Sequence, residues 1–513
     1  MVTNNRGAKL MKYLVTSKEM RMYDANTTEK IGIPAMVLME RAALAALEAV
    51  QRYCASALKE QNLTALILAG TGNNGGDGLA LARLMSERGF EVEVWCVGDG
   101  KKASEQWTRQ RQILEHYPVK FVTEPLRMEY TVMIDALFGV GITREITGLY
   151  RDAVERFSEP SGYRIALDMP SGVDSDTGRL WGAAVNADET ITFGFCKRGL
   201  ALYPGCEYAG KVTVADIGIS ERSFCGNTPE LFAWDEKPEA LLPVRRRDGN
   251  KGSFGKVLLL AGGLNMAGAA ILSAKAAYRT GAGMVKVITQ PENRLILQTA
   301  VPEALSGAAE ELDDDLEWAD VIAVGPGIGK SDHALQMLEA ALVRSDKPLL
   351  IDADGLNLLA LRQDLARSLR EQGIRGRRII LTPHVGELAR LTGKTVRILK
   401  ENLADSVREL AKELHAVVVA KDARTFICAA EGPVCVNLSG NSGMATAGSG
   451  DVLAGVIAGL MAQGMEPFHA ASVGAYIHGI AGDIAAAQSG EYACTALDIV
   501  DGLKQRKDFG KLV

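Results

Sequence analysis

From residue 64 onward the chain alternates short apolar runs with longer amphipathic stretches, the runs falling at residues 66–69, 92–97, 132–134, 165–167, 191–193 and 212–214. Runs this short, bounded by Gly, Asp or Pro, predict buried parallel strands with helices between them. That succession builds a doubly wound, Rossmann-like α/β sheet. A preceding stretch, 35–54, repeats apolar residues at helical spacing and is expected to pack on one face of the sheet. The alternation falters across 220–248, where Pro229, Pro238 and Pro243 sit among charges and Arg245, Arg246 and Arg247 close the stretch. A second series of runs follows at 257–260, 285–288, 321–324, 349–351, 379–381 and 417–419, predicting another α/β layer structure. The expected organisation is a first domain at 11–225, a linker at 226–245 and a second domain at 246–513. No period of 20 to 50 residues recurs, so the two halves are different domains rather than a repeat array.

Composition narrows the function classes. A chain of 513 residues exceeds one ordinary core. With 47% hydrophobic and 23% charged residues it reads as a globular enzyme, and a net charge of -6 without a basic block argues against nucleic acid or a membrane surface as partner. Acidic ligands must then be held by local features. The eight cysteines form no C-x-x-C pair and the six histidines no H-x-x-x-H spacing, so neither a disulfide framework, a zinc ribbon nor a histidine-bound metal is indicated. Residues 1–20 lack the apolar core of a secretory leader, and no run of about 18 apolar residues occurs. A cytoplasmic location and assembly as a homo-oligomer are expected.

In the first half, the strand at 66–69 runs into Gly70, Thr71, Gly72, Asn73, Asn74, Gly75, Gly76, Asp77 and Gly78, with a helix expected from Leu79. Five glycines in nine residues allow close backbone approach to a ligand, and the asparagines add amide side chains. Asp135 and Asp168 each follow an apolar run, and in a parallel sheet such ends converge on one crevice. For either one alone, capping a loop competes with acid–base chemistry.

The second half carries Asn441, Ser442, Gly443, Met444, Ala445, Thr446, Ala447, Gly448, Ser449, Gly450 and Asp451, followed by an apolar run from Val452 that reads as a helix. Small residues before a helix start form an anion-binding nest. Asp451 there either caps the helix or takes a proton from a hydroxyl about to attack phosphorus. Lys421, Asp422, Ala423, Arg424 and Thr425 offer a cation, a guanidinium and a hydroxyl after the strand at 417–419, as a solvated charge cluster also would. Strand-end loops recur at Gly325-Pro326-Gly327, at Asp352-Ala353-Asp354 and at Thr382-Pro383-His384-Val385-Gly386-Glu387.

The first set of motifs, with Asp135-Ala136-Leu137-Phe138-Gly139-Val140-Gly141 and Asp168-Met169-Pro170-Ser171-Gly172, resembles the YjeF N-terminal domain, an epimerase of hydrated NADH and NADPH. The resemblance implies a catalytic Asp168, potassium held by Asn74, Asp135 and Ser171, and hydrate contacts at Asn73, Asn74, Gly75, Gly76, Asp77, Gly139, Val140, Gly141, Ile142, Thr143, Arg144 and Glu145. The second set, together with Asn250-Lys251-Gly252-Ser253-Phe254-Gly255, resembles the YjeF C-terminal domain, a ribokinase-like ADP- or ATP-dependent NAD(P)H-hydrate dehydratase. It implies nucleotide contacts at Lys421 through Thr425 and Asn441 through Gly450, and hydrate contacts at Gly327, His384, Val385, Gly386, Glu387 and Asp451. The expected small-molecule partners are NADHX, NADPHX and an adenine nucleotide, with Mg²⁺ on its phosphates and ADP favoured because fused members of this kind mostly use it.

Two positions depart from the family pattern: Asn250 stands where His is expected and Asp422 where Gly is expected, the latter adding a carboxylate near phosphates. The implied chemistry has a physical need, since hydroxide leaves poorly and phosphorylation turns it into phosphate. A small-molecule kinase releasing a phosphorylated product is the first rival, and a non-catalytic nucleotide sensor the second. A fused epimerase and the presence of both Asp168 and Asp451 speak against them.

Overall fold

The computed structural model describes residues 11–57, 63–235 and 238–505. Residues 1–10, on which part of the leader reading fell, lie outside these. The chain divides into two compact units, Lys12–Glu230 and one built on Leu231–Val513.

In the first unit a seven-stranded sheet runs Val119–Val122, Glu91–Cys96, Thr64–Ala69, Glu129–Ala136, Ser161–Leu167, Glu189–Phe193, Lys211–Ala215. Every pairing is parallel. Successive residues of the central strand face opposite sides: Ala65, Ile67 and Ala69 join one apolar cluster, Leu66 and Leu68 another. Burial on both faces is why these strands read as unbroken apolar runs. Helices Ala35–Ala57 and Asn73–Glu87 cover one side and Leu149–Phe157 the other. Strand order reverses between Thr64–Ala69 and Glu129–Ala136, which opens a crevice at their carboxyl ends.

In the second unit the strands lie in the order Leu305–Gly307, Met284–Ile288, Lys256–Leu260, Val321–Val324, Leu349–Ile351, Ile379–Leu381, Val417–Ala420, Thr425–Cys428, Val434–Asn437, Leu231–Trp234. The central run is parallel, and Val417–Ala420 turns into an antiparallel pair through Thr425–Cys428. Helix Ser449–Ala462 crosses Ala267–Arg279 at very short range. A Cβ on Gly455 would lie 2.2 Å from the Ser273 carbonyl oxygen, and one on Gly459 2.4 Å from Thr280 Oγ1. These glycines set the depth at which the helix, and hence its first turn, is seated.

Three expectations need correction. Part of the stretch expected as a linker, 226–245, is the strand Leu231–Trp234, whose four apolar residues are all buried and pair with Val434–Asn437. The helix expected from Leu79 begins at Asn73, its glycines packed too closely for side chains: a Cβ on Gly75 would lie 1.9 Å from the Gly70 carbonyl oxygen and one on Gly76 2.7 Å from Met39 Cε. Asp135 does not follow its strand but lies within it, fully buried.

Candidate active sites

A cavity of about 610 Å³ opens at the strand-order reversal of the first unit. Its apolar wall includes Leu38, Met39, Leu137, Phe138, Phe193 and Ile219, and its polar groups include Asn73, Asn74, Asp77, Asp168, Lys197 and Asp24. Asp168 adopts a left-handed backbone, φ 64°, directly after Ser161–Leu167. Such a conformation is strained for a residue with a Cβ, and strain of this kind gathers at functional positions. Lys197 is buried, its chain held by the parallel pairing of Val15 with Lys197, and its ammonium reaches Asp168 Oδ1 at 2.5 Å, the Phe193 carbonyl at 2.8 Å and Thr192 Oγ1 at 3.0 Å.

Beside this pair, Asp135 Oδ2 accepts from the Ser171 backbone N–H at 2.7 Å and Oδ1 from the Ser171 hydroxyl at 2.6 Å, while Ser171 Oγ accepts from the Phe138 N–H at 2.9 Å. Burial pushes the Asp135 carboxyl up to about 6, against the two Ser171 bonds and a third from the Leu137 N–H at 3.2 Å, all of which pull it down. Both polar atoms of the Asn74 amide are buried without a partner. Gly139 leaves room there: a Cβ would sit 3.1 Å from Asp168 Oδ2 and 3.5 Å from Asn74 Cβ. Of the residues singled out in the sequence, Asn73, Asn74, Asp77, Gly139, Val140, Gly141 and Asp168 line the cavity. Ile142, Thr143, Arg144 and Glu145 do not, and Gly75 and Gly76 are turned into packing against Gly70 and Met39.

In the second unit, adjacent parallel strands end in Gly325, Asp352, Thr382 and Lys421. Lys421 Nζ bonds to Asp352 Oδ1 at 2.8 Å, and Thr382 Oγ1 reaches the same oxygen at 2.7 Å. Asp354 Oδ2 accepts from the Gly329 N–H at 3.0 Å, tying the glycine loop to the neighbouring strand end. His384 Nδ1 accepts from Gly386 N–H, and Glu387 Oε2 accepts from His384 N–H, both at 2.9 Å, so this pair closes the start of helix Val385–Thr392.

Asp451 is not a cap. Gly448, with φ 91°, occupies the cap position of Ser449–Ala462 without any side-chain cap bond, and Asp451 stands inside the first turn. The Ser449 N–H turns back to the Thr446 carbonyl at 3.3 Å, which leaves the Gly450 and Asp451 N–H groups open, and a Cβ on Gly450 would lie 3.3 Å from Lys421 Nζ. An ammonium and bare amides meet at one point, which suits an anion. Burial, with Asp352 and Asp354 adding to it, pushes the Asp451 carboxyl up to about 7 although Lys421 pulls it down. Burial alone drives Lys421 toward its neutral form, but Asp352 and Glu387 more than reverse this.

Comparison with known proteins decides what these two sites belong to. Residues 257–505 match the model of the NAD(P)H-hydrate dehydratase family, and 35–199 that of the YjeF-related protein N-terminus. The chain is 36% identical to the bifunctional NAD(P)H-hydrate repair enzyme of Moorella thermoacetica, covering 96% of each, and 32% identical to that of Escherichia coli, covering 95% of this chain and 92% of that one. The chain belongs to the bifunctional NAD(P)H-hydrate repair enzymes. As a member it is an enzyme with two activities, an epimerase and a dehydratase of hydrated nicotinamide cofactors, on two α/β units built around largely parallel sheets. Among solved structures it is similar to the ADP/ATP-dependent NAD(P)H-hydrate dehydratase of Bacillus subtilis co-crystallized with ATP/Mg²⁺, with 30% identity over 54% of this chain and 97% of that one, at a TM-score of 0.47.

Several groups of this repair enzyme escaped sequence reasoning. Lys197 and Asp24 stand in the epimerase cavity, yet only Lys197 carried a signal, as a charged residue just past the run ending at Phe193. His478, buried in the middle of the helix Pro467–Ser489, faces Ser449 Oγ at 3.4 Å and is held neutral, its pKa lowered to about 4 by burial. Other expected contacts have structural employment. Asn441 accepts from Gly443 N–H and donates to Asp483 Oδ1 at 2.9 Å, and the Ser442 hydroxyl bonds to Glu491. Asp422 pairs with Lys400 at 3.4 Å, and Arg424 donates to the Leu438 carbonyl at 2.8 Å. The departure at Asn250 is a local turn, its Oδ1 accepting from Gly252 and Ser253 N–H.

Proposed function

We propose that Asp168 is the acid–base group of the epimerase and Asp451 the base of the dehydratase. The observation that carries the reading is Asp451: a carboxylate with a near-neutral pKa in the first turn of an uncapped helix, beside a lysine ammonium. A base poised near the working pH accepts a proton most effectively. In this reading the adenine nucleotide, ADP as the preferred donor and ATP as the alternative, lies with its terminal phosphate at Gly448, Ser449 and Gly450, against Lys421. Asp451 takes the proton of the hydrate's hydroxyl as that oxygen attacks phosphorus, and the amides and ammonium stabilise the transferring group. Phosphate then leaves as the ring nitrogen pushes in its electrons, a neighbouring carbon gives up a proton, and NADH or NADPH is restored with AMP or ADP released. His384, Gly386 and Glu387 border the hydrate, with Gly327 on the adjoining loop.

Potassium fits the first site. Asn74 Oδ1 is buried and unpartnered, and the Asp135 carboxylate and Ser171 hydroxyl add the oxygen donors that a hard cation prefers. Bound there it supplies positive charge against a buried carboxylate. Mg²⁺ belongs to the nucleotide rather than to the protein, since among the described residues no three His, Cys, Asp or Glu side chains converge as a cage. A cytoplasmic location is supported by eight cysteines that are all free thiols, and the accompanying homo-oligomer is checked by light scattering. No described helix is long and apolar enough to cross a membrane.

The test is Asp168→Asn in the full chain, given a mixture of both hydrate epimers with ADP and Mg²⁺. The parent protein converts the whole mixture to reduced cofactor; the variant stops at the share of one epimer. Conversion of both epimers at the parent rate overturns the role of Asp168.

A further inference from the structure

The epimerase cavity holds three carboxyl groups and one lysine: Asp24 from helix Ser17–Ala25, Asp77 from helix Asn73–Glu87, Asp168, and Lys197. The lysine is fully committed. Its three N–H groups go to Asp168, Thr192 and the Phe193 carbonyl. Arg21, also on the wall, donates to the Val140 carbonyl at 3.1 Å. Asp77 accepts no hydrogen bond and joins no ion pair among the described residues, although it lines the same cavity one helical turn beyond Asn74.

We propose that Asp77 is the proton donor that works opposite Asp168 in epimerisation. The inference rests on the reading of Asp168 as the proton acceptor. Two carboxyls in one cavity, one ion-paired to a buried ammonium and one left without a cation beside two acidic neighbours, divide into an anion and a neutral acid. Burial first, then the charges of Asp168 and Asp24, raises the Asp77 carboxyl well above the usual carboxylate range, and the smaller opposing pull of Lys197 does not offset them. Asp24 is itself raised by burial and by Asp168. Tyr150 is the remaining titratable side chain on the wall.

The division matches what the reaction needs. The hydrate's hydroxyl-bearing carbon is bonded to the ring nitrogen, so inversion requires one group to accept the hydroxyl proton and another to protonate the departing nitrogen. Asp168 accepts the O–H proton, the O–H electrons become the second bond of a carbonyl, and the carbon–nitrogen bond breaks with its pair going to nitrogen. That nitrogen takes the proton of Asp77. The open-chain aldehyde turns, nitrogen re-attacks the other face of the carbonyl carbon and returns its proton to Asp77, and the oxygen recovers the proton from Asp168. Nothing is oxidised or lost, and both carboxyls end as they began.

The experiment follows interconversion of separated epimers, without nucleotide, against pH in the parent chain and in Asp77→Asn, Asp24→Asn and Asp168→Asn. Asp77→Asn is expected to lower kcat by about 100-fold or more with KM within a few-fold, the size of effect general acid catalysis supplies. Asp24→Asn removes a negative neighbour, so the alkaline limb of the profile, which reports loss of the Asp77 proton, moves to lower pH. That shift requires Asp77 to act in its protonated form, and it stands as the test if Asp77→Asn fails to fold. An unmoved alkaline limb in Asp24→Asn, or full kcat in Asp77→Asn, overturns the proposal. Full activity in Asp168→Asn instead refutes the reading of the acceptor on which it rests.

Discussion

Asp451→Asn should abolish dehydration and make the protein more stable, by a margin that grows with pH. The Asp451 carboxyl is raised from 3.8 to about 7, chiefly by burial. Between these values the folded chain holds a proton that the unfolded chain has released, so the native state loses stability as pH rises through that window and none further above it. Some three units at about 1.4 kcal/mol each put the full penalty on the order of 4 kcal/mol, an upper figure for a group with some solvent contact. Asparagine carries no such penalty. Relative to the parent, the variant's advantage should therefore widen by about 3 kcal/mol between roughly pH 5 and pH 8. Urea unfolding of the full chain measures this, using the transition that added nucleotide displaces, since ligand binding marks the unit that holds the site. Dehydration, followed as nucleotide-dependent recovery of reduced-nicotinamide absorbance, should fall by roughly 100- to 10,000-fold. An advantage that is equal at both pH values refutes the argument from burial, and unchanged turnover refutes the base.

Lys421→Met removes the cation that lowers the Asp451 pKa and strands the buried Asp352, so the acid limb of the dehydratase pH profile should move up and unfolding should become easier by about 3–5 kcal/mol; an unmoved limb in a folded variant contradicts the linkage. Asp422→Ala should leave dehydration within two-fold or so of the parent, because its carboxylate pairs with Lys400 rather than lying on the phosphate path; a large gain or loss means that it faces the nucleotide. Potassium, compared with sodium at equal ionic strength, should raise the thermal midpoint of the transition that nucleotide does not displace. That effect should fade below about pH 6, as Asp135 protonates, and vanish in Asn74→Ala.

How much of this was legible in the sequence depended on whether a residue's role is local. The twelve apolar runs all became strands of the two sheets; those of the central strands, such as 66–69, 321–324 and 349–351, are unbroken because they are buried on both faces. Val119–Val122 went unseen: Lys120 interrupts it, as an edge strand permits. The strand-end acids were visible because sheet topology brings such ends together, and the glycine loops because a close backbone approach needs glycine. Lys197 and Asp24 belong to the site through pairings between segments far apart in the chain; Lys197 at least follows an apolar run, whereas nothing in the neighbourhood of Asp24 signals its place. His478 was hidden for the opposite reason, as a polar residue within a largely apolar helix that reads as packing.

Both clefts meet the same difficulty, a group of carboxylates sharing one lysine, buried in the first and partly buried in the second, and they resolve it differently. In the first, Lys197 binds Asp168 itself, so the ion-paired acid is the one at the strained strand end and the unpaired Asp77 carboxyl is pushed well above the usual carboxylate range. In the second, Lys421 binds the neighbour Asp352, and Asp451 is left to rise to about 7. The difference follows the ligands. Moving a proton to and fro across a ring calls for one firm acceptor and one firm donor, whereas a base beside nucleotide phosphates must not add a fixed negative charge before the proton it takes is on offer. On the proposed reading, a lysine placed on Asp451, as Lys197 is on Asp168, would hold that carboxylate anionic against the phosphates; paired with Asp352 instead, Lys421 is available to them and Asp451 is left free to titrate.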